Sequence, residues 1–139
     1  MNVFKLTSRL SGLALLALLW LPLSAQAQDV IEGHMNGLNC AITGYVCPID
    51  LRDPVMALEP DFVIQREDGE FFYIPNLDRA VKAQYFLSEV RVVGEFNERY
   101  GAITADQLLV RRDGEFVEVW SQERARRAME AFYGPPGAN

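Results

Sequence analysis

Two Asp-Gly dipeptides, Asp68-Gly69 and Asp113-Gly114, each sit between short apolar runs. Such a pair tolerates the left-handed backbone of a tight turn, so both read as β-hairpins. Residues 62–66 and 70–74 are the arms of the first hairpin, and 102–112 and 115–120 those of the second. Pro75 stops the first hairpin because it has no N–H to give to a ladder. Residues 29–35 and 89–96 alternate in polarity and add two strands, the second with an expected bend at Gly94.

Two segments have helical spacing instead. Leu77, Val81 and Tyr85 fall at steps of four, so residues 77–87 read as a helix capped by Asn76. Residues 121–133 read as a C-terminal helix opened by Ser121 and stopped by Gly134, Pro135 and Pro136. Between the first strand and the first hairpin, residues 36–60 lose periodicity and carry three prolines and two glycines. They read as a long loop with one helical turn near residues 55–58.

The N-terminal segment predicts where folding happens. Lys5 and Arg9 precede a 14-residue, mostly apolar stretch, 10–23, and Ala25-Gln26-Ala27 follows it. A basic segment, an apolar segment too short for a bilayer and small residues at alternate positions make a secretory signal peptide, expected over residues 1–27 and cleaved after Ala27. The remaining residues, 28–139, form a single expected domain in the periplasm or outside the cell, with no transmembrane segment. Loss of Lys5 and Arg9 leaves 11 basic against 19 acidic side chains, a net charge of −8. An acidic surface argues against nucleic acid as a partner.

The order of strands and the single helix between the third and fourth of them resemble an OB-fold. The run Val90-Arg91-Val92-Val93-Gly94-Glu95-Phe96, followed by Ile103 and Leu108-Leu109-Val110, is similar to the last two strands of small exported OB-fold proteins of bacteria. The resemblance covers residues 29–112. It implies a mainly β, α+β domain with two helices: an antiparallel barrel of five to six strands with an added C-terminal helix. It also implies that the first hairpin is a binding face.

Three sets of residues carry chemical interest. Cys40 and Cys47 are the only cysteines, and in an oxidising compartment their expected state is a disulfide. The competing readings are a thiol-redox pair, or a copper or zinc site drawing on His34, Met35, Cys40, Cys47 and Met56, since thiolate, thioether and imidazole suit soft metals. Phe71 and Tyr73 share a face of the first hairpin whose other face, Phe72 and Ile74, is also apolar. With Arg66 beside them, they are the candidate contacts for a protein partner or small ligand. His34 is the only histidine and no Gly-x-Ser-x-Gly accompanies it, so catalysis is not the expected role. The first expectation is therefore a non-enzymatic binding or accessory domain without a cofactor, acting on an envelope protein or small ligand. The alternative is metal handling or thiol redox at Cys40 and Cys47.

Overall fold

The computed structural model describes residues 28–134 and Gly137. The expected signal peptide over residues 1–27 lies outside the described residues, as do Pro135 and Pro136. The chain runs β1 (Asp29–Gly37), α1 (Leu38–Ile42), a 3-10 turn (Ile49–Leu51), α2 (Arg52–Leu58), β2 (Phe62–Gln65), β3 (Phe71–Phe72), α3 (Arg79–Gln84), β4 (Glu89–Asn97), β5 (Ala102–Arg112), β6 (Glu115–Ser121) and α4 (Gln122–Tyr133).

The six strands form one antiparallel sheet in the order β3-β2-β1-β4-β5-β6. This corrects the expected OB-fold-like barrel: the sheet is open, with β3 and β6 as its two edges. The cause is the shortness of β3. Its ladder to β2 holds two residue pairs, Ile64 with Phe72 and Gln65 with Phe71. Beyond it a single isolated bridge joins Tyr73 to Ala102. Tyr73 N–H donates to Gly101 and Ile103 N–H donates to Tyr73, and Pro75 follows before a ladder can grow. The two expected helices are corrected to four among the described residues, because the loop expected over 36–60 contains α1 and α2.

The two Asp-Gly turns differ. Asp113 and Gly114 both have positive φ, 50° and 86°, which is the two-residue turn that matches strand twist. At Asp68-Gly69 only Gly69 is left-handed, at φ 89°. There Gly69 N–H donates to Arg66 and Arg66 N–H donates to Glu70, closing a three-residue loop. The bend expected at Gly94 is a register shift between Val93 and Gly94. A Cβ on Gly94 would lie 2.0 Å from the Thr104 carbonyl oxygen, so only glycine lets β4 and β5 meet there.

The core lies on one face of the sheet. Ile31, Met35, Phe62, Ile64, Phe72, Val90, Val92, Ile103, Ala105 and Leu108 point into it from the strands, and Leu77, Ala83 and Phe86 close it from α3 and its flanks. Phe62 and Phe86 pack 5.4 Å apart between ring centroids, and Phe72 meets Phe96 at 5.6 Å. Each such ring removes enough apolar surface from water to contribute about 2–3 kcal/mol.

α3 starts later than expected because Asn76 has another task. Its side chain donates to the Ala105 carbonyl and accepts from Ala105 N–H, both at 2.8 Å, acting as a strand partner for β5. Lys82 of α3 is buried and ion-paired to Asp61 at 2.5 Å, which ties the helix to the entrance of β2. α4 packs on β5 and β6 and leaves its last aromatic residues outside the core. Phe132 and Tyr133 are 85% and 76% exposed.

Candidate functional site

Cys40 and Cys47 form a disulfide with Cα atoms 5.6 Å apart, as the oxidising-compartment reading expected. Cys40 sits in the middle of α1, half-buried, and Cys47 is 2% exposed at the end of the loop that follows. The loop is shaped by a buried side chain, Asn36, at the inner end of β1. Asn36 accepts from Cys47 N–H at 3.1 Å, and donates to the Tyr45 carbonyl at 2.9 Å and to Gln65 Oε1 at 2.6 Å. Both ends of this amide are thus satisfied. It clamps the turn that delivers Cys47 to Cys40 and ties that turn to β2.

A third group completes the site. Glu59 is buried between α2 and β2, and its carboxylate reaches the disulfide. Oε2 accepts from Asn39 N–H at 2.8 Å. Oε1 lies 3.6 Å from Cys40 Sγ and 4.0 Å from Cys47 Sγ. A disulfide sulfur has no proton to give, so in this state those contacts are not hydrogen bonds to Oε1. Space for the carboxylate comes from Gly37. A Cβ there would lie 2.5–2.6 Å from Glu59 Cδ, Cγ and Oε1. The Glu59 backbone is held from α3, where Arg79 donates to the Glu59 carbonyl at 3.1 and 2.9 Å and also to Met56 O. Arg79 in turn stacks over the Phe62 ring.

Donor atoms of Cys40, Cys47 and Glu59 all lie within 4.8 Å of one another. The other residues of the expected metal set are placed differently. His34 is exposed on β1, paired with Gln65 and Glu89, and lines an open cleft of about 450 Å³ with Glu32, Arg66, Glu67, Asp68 and Glu89. Met35 is fully buried in the core and Met56 packs against its margin. Glu59 was not singled out from the sequence. Its signal would have been an acid between two apolar elements, next to a proline, but Asp61 shares that stretch and 19 acidic residues hide it.

The aromatic hairpin keeps Phe71 and Tyr73 together, edge to face at 5.7 Å, with Tyr73 37% exposed. Arg66 turns to the Phe72 ring, at 4.6 Å from its centroid, and to Glu70 at 2.8 Å.

No protein-family model, curated protein or solved structure matches this chain. Among the described residues no helix is long and apolar enough to cross a membrane. The chemistry of the cysteine cluster is therefore what bears on function.

Proposed function

We propose that Cys40 and Cys47 form a reversible thiol–disulfide centre, working in the oxidising space that the leader sequence implies. The observation that carries this reading is Glu59 Oε1. A carboxylate is costly to bury. Beside a permanent disulfide its inner oxygen gains nothing from the sulfurs. Beside a dithiol it gains one or two S–H donors, so the pocket serves the reduced state at least as well as the oxidised one. The test is an equilibrium titration of the protein in thiol–disulfide buffers, read by alkylation and mass, with circular dichroism recorded throughout. The expected result is reversible reduction of the folded protein at a potential above about −300 mV, the region of labile rather than structural disulfides. Reduction only after unfolding removes the reading.

A second reading rests on the three converging donors. After reduction, two thiolates and one carboxylate make a soft-leaning set that suits zinc, and the thiolates alone suit Cu(I). Zinc or copper binding by the reduced protein, lost in Cys40→Ser/Cys47→Ser and weakened in Glu59→Gln, supports it. Elemental analysis showing no metal retained by the reduced protein removes it. The aromatic hairpin has less support as a functional surface: its two candidate rings pack on each other, and Arg66 is engaged elsewhere.

A further inference from the structure

We infer that α4 is a self-association surface and that its partner is α4 of a second copy of this chain, packed antiparallel across a two-fold axis. The inference goes beyond the thiol–disulfide reading and does not depend on it. α4 has 12 residues and none of them is buried. A helix that short is marginal in water, and helices in folded proteins gain most of their stability from a packed apolar face. α4 has such a face, and among the described residues nothing covers it. Ala125, Met129, Phe132 and Tyr133 are spaced as one stripe. Met129 joins Phe132 and Tyr133 among the exposed side chains. An open hollow of about 280 Å³ lies beside the stripe, lined by Arg126, Met129, Glu130, Tyr133 and Gly134.

The surroundings of the stripe select a second copy over other occupants. Arg126 and Glu130, ion-paired along the helix, lie on one flank of the stripe together with Glu123. Ala128 lies on the other flank. An antiparallel two-fold axis near Ala128 and Met129 lays like flank on like flank with the direction reversed. Arg126 then faces the partner's Glu130, and Glu130 faces the partner's Arg126. Ala125 at the start of the stripe meets the partner's Phe132 near its end, a small side chain opposite a large one. A parallel axis would set the charged flank on the apolar one. A lipid surface is a poorer match: Arg124 is paired with Glu118, and Arg126 and Arg127 with Glu123, so the helix offers no free basic face. The neighbouring edge of β6 is also a poorer match, since Glu115, Glu118 and a register shift beside Glu118 are features that keep strand edges apart. Four aromatic rings and two Met129 side chains bring the buried area of a pair to about 1,000 Å², the low end of specific interfaces, so the association is reversible and set by concentration. α4 packs on β5 and β6 while α1 packs on β1 and β2, so the dimer leaves both Cys40–Cys47 disulfides uncovered.

The test is sedimentation velocity of the mature chain from about 1 to 500 μM, with circular dichroism recorded on each variant. Wild type is expected to pass reversibly from monomer to dimer with a dissociation constant of about 10–100 μM. Phe132→Ala and Tyr133→Ala are each expected to weaken the dimer by about 10-fold or more. Both rings are exposed in the single chain, so their removal leaves its fold intact. Arg126→Glu alone and Glu130→Arg alone are each expected to weaken it by about 10-fold or more, because the facing pairs then carry like charges. An equimolar mixture of these two variants is expected to recover most of that loss, since both facing pairs are again opposite in sign. Mixing does not repair the pair within each helix, so recovery reports the contact between copies. A monomer throughout the concentration range overturns the inference, and so does a mixture that recovers nothing. A dimer that survives Phe132→Ala and Tyr133→Ala but is lost in Tyr45→Ser places the contact on the disulfide loop and overturns it too. Binding of a permanent monomer to phosphatidylglycerol vesicles, lost in Phe132→Ala, identifies a lipid surface in its place. None of these readouts involves reduction of the disulfide, so failure here and failure of the thiol–disulfide reading are distinct.

Discussion

The cysteine cluster and the His34 cleft are built from similar side chains and end in different states. The cleft collects Glu32, Glu67, Asp68 and Glu89 around the only histidine, yet it is open, and two of its acids find partners of their own. Glu32 pairs with Arg91 at 2.6 Å and Glu89 with Arg111 at 2.7 Å. The cluster holds one carboxylate, but that carboxylate is buried, has a glycine cut away to admit it, and faces two sulfurs. The number of ligand-type side chains in one place is thus a poor guide to chemistry. Burial is a better one, because an exposed acid is solvated by water whereas a buried one is there at a cost that one backbone N–H, from Asn39, offsets only in part.

That contrast can be broken most directly at Asn36. Asn36→Ala removes a buried amide with three hydrogen bonds and leaves Cys47 N–H, Tyr45 O and Gln65 Oε1 without it. The expected loss is about 3 kcal/mol in urea unfolding, against less than about 0.5 kcal/mol for His34→Ala in the cleft. Equal losses would mean that the two regions are equally structural. A smaller effect is expected from opening the disulfide. Reduction, or Cys40→Ser/Cys47→Ser, frees a short loop and costs about 2.5 kcal/mol on the chain-entropy account. A shift in melting temperature for the wild type but not for the double variant on adding reductant checks that the cysteines are the source. Smaller again is the cross-strand pair at the cleft's rim, Glu32 with Arg91: Glu32→Gln is expected to cost less than about 1 kcal/mol, and less still in high salt.

The smallest expected effect sharpens the distinction between buried and exposed acids. Glu123 on α4 is hydrogen-bonded by Arg126 and by Arg127, and these, Arg126 first, hold its carboxyl down to about 2. A depressed carboxylate adds stability that is complete above its unfolded value, about 4.3, and is lost as pH falls toward about 2. Acid titration followed by the Glu123 carboxyl resonance should show that low midpoint, and Arg126→Gln should raise it. Because the group is exposed, salt should weaken the effect.

Much of the architecture was legible in local sequence because hairpins and amphipathic strands are local objects. Asp68-Gly69 and Asp113-Gly114 both turn the chain where expected, and the alternation at Glu89–Asn97 and Ala102–Arg112 gives two paired strands. α4 also starts and ends close to its sequence signals. The disulfide was expected from a lone pair of cysteines in the oxidising compartment that the N-terminal segment predicts, and Cys40 and Cys47 are bonded. α1 was hidden because a five-residue helix has too few turns to show a period, and because its sequence, Leu-Asn-Cys-Ala-Ile, carries no cap signal. The resemblance to an OB-fold misled for a related reason. Strand order is suggested by the strand pattern, but closure depends on how long the edge strand stays in register with a partner far away in sequence, and β3 stays for two residues.

The chain's own sequence therefore determined its turns, most of its strands, its terminal helix and its cross-link. Each of these depends on neighbours within a few residues, or on a single pair of cysteines. Only the tertiary structure decided that the sheet remains open, that Asn76 serves a strand instead of a helix, and that Glu59 lies against the sulfurs. Glu59 comes 12 residues after Cys47 and 19 after Cys40, and meets Gly37 across a different element. No periodicity encodes that meeting. It follows from pairing β2 with β1, Gly37 beside Phe62, which sets a missing Cβ opposite the Glu59 carboxylate and so turns a common cross-link into a candidate reactive site.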